Sequence, residues 1–220
     1  MEFYKNTVKE ETFKLLKELM ADPSFENFFL VGGTSIALRI GHRKSIDLDL
    51  FTRDEIKTDY LYKHLKEIYG FEERYRAKNT LKGDIRGVYI DCNRYDYPLL
   101  KPADVYEGIR VASLEDIAAM KISAITDDGT RLKDFIDVAF LSEYMSLNHM
   151  LESYKRKYDE NNLFSPVKAL TYFDEIDFNN EPVELIGKTF KWTTFEKRLI
   201  EMTKNPDKVF REEKCKSRGR

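Results

Sequence analysis

The sequence is poor in cysteine and has no long apolar run, and each lack argues against a class of protein. Its two cysteines, Cys92 and Cys215, form neither a set of spaced pairs nor a CxxC knuckle, which argues against disulfides and structural zinc. No apolar run approaches the roughly 20 residues that span a bilayer, and residues 1–20 carry charges where a secretory signal would be apolar. We therefore expect a cytoplasmic protein with no membrane partner.

An excess of charge of one sign is missing as well. The 37 Lys and Arg residues are nearly balanced by 39 Asp and Glu residues, which leaves a formal net charge of −2. Any polyanionic partner must then be bound by a local patch, because the chain has no global basic field. The segment from Lys204 to Arg220 is locally basic; we interpret it as a solvated terminus, with a nucleic-acid arm as the alternative.

The sequence does contain enough apolar side chains for a packed core: hydrophobic residues make up 42% and aromatic residues 13% of its 220 positions. Apolar periodicity and capping residues predict helices at residues 7–20, 34–40, 54–69, 113–126, 131–145, 166–173 and 193–203. Apolar runs and alternation predict strands at residues 28–31, 46–51, 71–76 and 86–95, and Lys82-Gly83-Asp84 indicates a hairpin link between the last two. We expect an α+β fold, with a mixed core at residues 1–110 and a helical domain at residues 111–220.

The central chemical pattern is a pair of aspartates, Asp47 and Asp49, on a predicted strand. Side chains alternate along a strand, so both carboxylates leave the same face. Asp91 lies on the polar face of another predicted strand, and if the two strands are neighbours the three carboxylates converge. Their repulsion, about 4 kcal/mol for a pair about 4 Å apart at an effective dielectric near 20, then calls for a cation. Oxygen ligands without nearby His or Cys favour Mg²⁺ or Mn²⁺; the alternative is an Asp-x-Asp pair on a solvent-facing strand.

Two further features indicate anion binding. Gly32-Gly33-Thr34-Ser35 lies at a predicted strand-to-helix turn, where backbone N–H groups can approach a phosphate, although such glycines are also often merely conformational. The string matches neither GxGxxG nor the Walker pattern, which argues against a dinucleotide fold and a P-loop ATPase. Lys121 lies on the apolar stripe of a predicted helix, so its amine needs a buried anion unless the side chain extends to the surface.

The combined string over residues 28–51, FFLVGGTSIALRIGHRKSIDLDLF, resembles the AbiEii/AbiGii toxin-type nucleotidyltransferases of the polymerase-beta-like superfamily. Their signature is a Gly-Gly-Ser/Thr turn followed by Asp-x-Asp on a strand. The resemblance extends over roughly residues 28–141. It includes a strand carboxylate followed by Tyr-Pro, matched by Asp91 and Tyr97-Pro98, and a helical pattern matched by Lys121, Arg131, Lys133, Asp134 and Asp137.

The resemblance implies a two-lobed fold, with a small mixed sheet flanked by helices, and transfer of a nucleoside monophosphate from an NTP to an acceptor hydroxyl. It also implies a bacterial toxin–antitoxin or abortive-infection pair, with a cognate antitoxin as partner and tRNA or another RNA as acceptor. By position it assigns catalytic roles to Asp47, Asp49, Asp91, Lys121 and Asp134, the first three also as metal ligands. It assigns substrate binding to Gly32, Gly33, Thr34, Ser35, Arg43 and Ser45. A small-molecule nucleotidyltransferase and a non-catalytic interaction module stay open as alternatives.

Overall fold

The computed structural model describes residues 3–179 and 182–211, which form a mixed α+β fold as the sequence predicts. Seven strands lie within them: β1 (Phe29–Val31), β2 (Leu48–Thr52), β3 (Glu72–Ala77), β4 (Thr80–Ile85), β5 (Val88–Arg94), β6 (Asp104–Tyr106) and β7 (Ile109–Val111). The same residues contain the helices α1 (Glu10–Ala21), α2 (Gly32–Ile40), α3 (Thr58–Tyr69), α4 (Leu114–Asp127), α5 (Leu132–Leu141), α6 (Leu147–Tyr158), α7 (Phe164–Ala169) and α8 (Trp192–Lys204).

The strands form one sheet in the order β3-β4-β5-β2-β1-β7-β6. β1 pairs with β7 and β2 pairs with β5 in parallel, while the other neighbours are antiparallel. One face of the sheet is apolar: Leu48, Leu50 and Ile90 are fully buried there, in a cluster with residues of α1 and α3. Because side chains alternate along a strand, Asp49 and Asp91 point to the opposite face.

The later helices pack on this opposite face beside β1. Phe29 and Val31 of β1 and Ile36 of α2 belong to one buried cluster with residues of α4, α5, α6 and α8. The helices therefore form a wall next to the polar part of the sheet. The cluster contains residues from both sides of position 110, and the division into two domains at that position stays a prediction.

The region between residues 71 and 95 differs from the prediction, because it contains three strands instead of two. Lys82-Gly83-Asp84 lies inside β4 and is not the link of a hairpin. A Cβ at Gly83 would overlap the ring of Phe71 and the carbonyl oxygen of Glu72, so this strand position requires glycine. The interpretation of the three residues as a turn was therefore wrong, since the glycine marks close packing.

Smaller differences concern the ends of elements. β6 and β7 were not predicted, and β2 begins at Leu48, which leaves Ile46 outside the strand and 55% exposed. Cys215 and the predicted basic segment beyond residue 211 lie outside the described residues. Among the described helices, none is both long enough and apolar enough to cross a membrane.

Candidate active site

Strand pairing brings the predicted aspartates together. β2 and β5 are parallel neighbours whose register sets Asp49 opposite Asp91, and Asp47 immediately precedes β2. The cavity at this point has a volume of about 510 Å³, and its wall includes Gly33, Arg43, Ser45, Asp47, Asp49, Tyr89, Asp91 and Lys121. The structure thus gathers residues of the sheet, of the loop before β2, of the first turn of α2 and of helix α4 around one space.

Asp49 is the carboxylate most strongly affected by this setting. Burial and the negative charges of Asp91 and Asp47 raise the pKa of Asp49 from 3.8 to about 6, although Lys121 acts to lower it. Within the described part of the chain, Asp49 forms no hydrogen bond or ion pair. Gly32, at φ 68°, lies against the carboxylate, and a Cβ there would overlap Asp49 Oδ2. An uncompensated carboxylate of this kind is typical of functional sites.

Asp91, in contrast, already has a cation. β4 sets Lys82 opposite Asp91, and the Lys82 amine donates to Asp91 Oδ2 at 2.8 Å, while the Asn93 amide donates to the other oxygen. Burial acts to lower the pKa of Lys82, but the hydrogen bond and charge of Asp91 outweigh it and raise that pKa.

The ion pair between Lys82 and Asp91 bears on the predicted metal site. Among the described residues, no three His, Cys, Asp or Glu side chains are grouped so as to hold a metal ion. Because the Lys82 amine binds Asp91 Oδ2, a metal site that included this oxygen would require Lys82 to move away. This ion pair was not predicted from the sequence, and the role of Asp91 as a metal ligand stays a prediction.

The Gly-Gly-Thr-Ser turn begins helix α2, so its first backbone N–H groups have no acceptor within the helix. The hydroxyl groups of Thr34 and Ser35 are buried and do not line the cavity, although both were expected to bind the substrate. The Ser35 hydroxyl donates to the Gly32 carbonyl oxygen at 2.7 Å. The Thr34 hydroxyl donates to the Asp47 carbonyl oxygen at 2.5 Å and lies 2.8 Å from Ser45 Oγ. These two side chains shape the turn, and phosphate binding by its backbone stays a prediction.

Lys121 reaches the cavity from α4, and two carboxylates of α5 hold its amine. The amine lies 2.5 Å from Asp134 Oδ1 and 2.8 Å from Asp137 Oδ2. The side chains of Asp134 and Asp137 are 1% and 0% exposed, and neither lines the cavity. The structure therefore places Asp134, which was expected at the substrate, behind Lys121.

Arg43 is bound by the carboxylate of Asp137. Its guanidinium donates to Asp137 from Nε at 2.7 Å and from Nη2 at 2.9 Å, and His42 Nε2 lies 2.7 Å from Asp137 Oδ1. Arg43 packs so closely on Gly33 that a Cβ there would overlap the guanidinium. Arg43 lines the cavity but is only 3% exposed, so it anchors its own loop more than it offers a free cation to a substrate.

The buried ion pairs of this cluster shift the pKa values of its members. Burial lowers the pKa of His42 below 6.5 despite its hydrogen bond to Asp137, so the imidazole is neutral at pH 7. Burial acts to raise the pKa of Asp137, but Arg43, Lys121 and the hydrogen bond from His42 hold it well below 3.8. The pKa of Lys121 is raised, because Asp134 and Asp137 outweigh the effect of burial. Asp137 therefore faces two cations, Arg43 and Lys121, while Asp134 lies near Lys121 and, at 3.5 Å, near Arg131 Nε.

One part of the cavity wall was missed in the sequence. Pro182, Val183 and Glu184 line the cavity, in a stretch where no motif indicated a site. Backbone hydrogen bonds hold this stretch on the loop before β2: the Lys44 amide donates to the Glu184 carbonyl oxygen at 2.8 Å. Lys44 and Glu184 lie 140 positions apart in the sequence, so only folding brings them together.

Sequence comparisons match the chain to a protein family and to a relative. A family model described as "Nucleotidyl transferase AbiEii toxin, Type IV TA system" matches residues 14–100 and 84–212. An uncharacterized protein of Aquifex aeolicus (strain VF5) is 32% identical over 174 residues, which cover 76% of this chain and 84% of that protein.

Two solved structures show a similar fold. A candidate nucleotidyltransferase from H. pylori is 17% identical, with a TM-score of 0.55 over 90% of this chain and 96% of that chain. The antibiotic-resistance factor ANT(2'')-Ia is 15% identical, with a TM-score of 0.52 over 69% of this chain and 94% of that chain. At these identities the likeness concerns the fold alone.

Proposed function

This chain belongs to the AbiEii nucleotidyltransferase toxin family, and from that premise we propose that it transfers a nucleoside monophosphate from an NTP to a hydroxyl group of an RNA, with tRNA as the acceptor. The observation that carries the proposal is the cavity in which Asp47 and Asp49 face the start of α2 and the amine of Lys121. Carboxylates for a divalent ion, together with N–H groups and a cation for phosphates, are the components that nucleotidyl transfer requires.

The donor set fits Mg²⁺ or Mn²⁺. Asp47 and Asp49 offer only oxygen, and Mg²⁺ is commonly held by one or two carboxylates together with water and substrate phosphates. A divalent cation would also relieve the repulsion that contributes to the raised pKa of Asp49, about 6. When bound, the ion would supply charge neutralisation at the triphosphate.

The remaining roles follow from position in the cavity. The acceptor oxygen forms a bond to the α-phosphorus as the bond to pyrophosphate breaks, and Asp91 receives the proton of the acceptor hydroxyl. Lys82 must leave Asp91 for this step, and a phosphate of the acceptor is the anion to which its amine would turn. Lys121 and the N–H groups at the start of α2 offset the charge of the pyrophosphate.

Cations at the rim support an RNA acceptor. Lys44 and Arg131 line the cavity and are both exposed, where they can contact the phosphates of a polynucleotide. The description of the family as a type IV toxin supports a toxin role and a cognate antitoxin as partner.

Label transfer tests the proposed reaction. The purified protein is incubated with Mg²⁺, total tRNA and each of the four NTPs labelled at the α-phosphate, and the RNA is resolved on a gel. We expect label in the RNA with the natural chain and with Asp59→Asn, an exposed control. The double variant Asp47→Asn, Asp49→Asn should give none. If no NTP labels the RNA with the natural chain, the proposal fails.

A small-molecule acceptor is the second candidate, because the net charge of −2 gives the chain no general attraction for RNA. Salt separates the two acceptors. An RNA bound through several phosphates loses affinity steeply as salt rises, whereas a small acceptor is much less affected. A role without catalysis would be disfavoured by a Mg²⁺-dependent thermal shift that disappears in the double variant Asp47→Asn, Asp49→Asn.

A further inference from the structure

One buried carboxylate connects two parts of the cavity wall that come from distant parts of the sequence. Asp137 of α5 contacts His42 and Arg43 on the loop before β2, and it also contacts Lys121 on α4. We propose that Asp137 is a positioning residue for nucleotide binding, which fixes this loop and the amine of Lys121 at the distance that a triphosphate requires. The inference rests on the proposed function, because it assumes that the cavity binds a nucleotide.

The loop side of this arrangement is held tightly. Arg43 presents two donors to the two oxygens of Asp137, a bidentate geometry that fixes direction as well as distance. The same loop continues through Ser45 to Asp47, and both of these residues line the cavity. A shift of Arg43 would therefore move Ser45 and Asp47 with it.

The helix side depends on the same carboxylate. The Lys121 amine lies between Asp134 and Asp137, at 2.5 Å and 2.8 Å, and its side chain is 8% exposed. Asparagine at position 137 keeps an acceptor oxygen but loses the charge, so the amine would turn toward the remaining carboxylate, Asp134. Asp134 does not line the cavity, so this rotation takes the amine away from the phosphates.

A purely structural role is the competing explanation, and the chain offers a matched control for it. Asp116 is also 0% exposed and also binds a buried lysine, Lys157, at 2.8 Å. Asp116 lies five positions before Lys121 on α4, a rotation of about 140°, so it faces another side of the helix. It does not line the cavity. Loss of either carboxylate should destabilise the fold, but only Asp137 should affect ligand binding.

The test measures two properties of the variants Asp137→Asn and Asp116→Asn in the full chain. The first is affinity for inorganic tripolyphosphate, measured by calorimetry, which probes the phosphate site without a base or an acceptor. The second is hydrogen exchange of the Lys44, Ser45 and Ile186 amides, which donate to Glu184, Thr7 and His42 and so report the position of the loop. We expect Asp137→Asn to weaken tripolyphosphate binding about tenfold or more and to accelerate exchange of these amides. For Asp116→Asn, tripolyphosphate affinity should stay within about twofold of the natural chain, and exchange of these amides should accelerate no more than its overall loss of stability requires.

The outcomes separate the inference from the function on which it rests. If the natural chain binds no tripolyphosphate and no NTP, the proposed function fails and the inference fails with it. If the natural chain binds but the two variants bind equally well, only the inference is overturned. If Asp137→Asn does not fold, the double variant Asp137→Asn, Arg43→Met takes its place in the test. This variant removes the Arg43 cation together with the Asp137 anion, so no unpaired guanidinium is left buried. Binding by that variant equal to that of the natural chain would overturn the inference as well.

Discussion

Replacement of Asp49 by asparagine should make the metal-free protein more stable. The carboxylate has no hydrogen bond or ion pair among the described residues, and burial together with Asp91 and Asp47 raises its pKa from 3.8 to about 6. The folded chain therefore holds the proton of Asp49 to a higher pH than the unfolded chain does. As pH rises from 3.8 through about 6, ionisation of Asp49 removes stability, and the loss is complete about one pH unit above the raised pKa.

The magnitude follows from the size of the shift. A rise of about two pKa units corresponds to about 3 kcal/mol, because each unit is worth about 1.4 kcal/mol. Asparagine has nearly the same volume and carries no charge, so Asp49→Asn should recover this energy. By the same linkage, the variant should exceed the natural chain in free energy of unfolding by about 1 kcal/mol at pH 4.5 and by about 3 kcal/mol at pH 8.

Urea unfolding followed by circular dichroism at these two pH values measures the difference directly. Asp59→Asn, which replaces a side chain that is 88% exposed, is the control and should change stability little at either pH. Added Mg²⁺ should stabilise the natural chain at pH 8 more than it stabilises Asp49→Asn. An Asp49→Asn variant that is less stable than the natural chain at pH 8, or a difference that does not grow with pH, would show that ionised Asp49 does not destabilise the fold.

Three further predictions test other parts of the structure. Asp116→Asn should lower the free energy of unfolding by about 3 kcal/mol in urea, since it leaves a buried lysine without its counterion; a loss below about 1 kcal/mol would contradict this. Gly83→Ala should lower it by more than about 2 kcal/mol, because the new methyl group overlaps the Glu72 carbonyl oxygen, and unchanged stability would show that β4 adjusts. Lys82→Met should tighten Mn²⁺ binding several-fold by releasing Asp91, as measured by calorimetry, and unchanged affinity would mean that Asp91 takes no part in metal binding.

The paired aspartates could be predicted from the sequence because their signal is local. Asp47 and Asp49 differ by two positions, and the period of a strand fixes their common direction without any knowledge of the fold. Their meeting with Asp91 required only that two predicted strands be neighbours, and the register of β2 on β5 places Asp49 opposite Asp91.

The partners of the other charged residues could not be predicted in this way. Lys82 was missed because Gly83 was interpreted as a turn residue, and the same error concealed strand β4 and the ion pair with Asp91. Asp137 was identified in the sequence only as part of a helical pattern, which does not reveal its partners. Its partner Arg43 lies 94 positions away, and only the packing of α5 on the loop before β2 brings the two together.

In the proposed reaction, Asp47 and Asp49 hold a divalent ion on the phosphates of an NTP. A crystal structure of the protein with Mn²⁺ and an NTP analogue that cannot be cleaved at the α-phosphate tests it directly, because anomalous scattering locates manganese. We expect one manganese peak within about 2.3 Å of oxygens of both aspartates and of the triphosphate, with Lys121 on the phosphates. Manganese bound elsewhere, or a nucleotide outside this cavity, would contradict the claim.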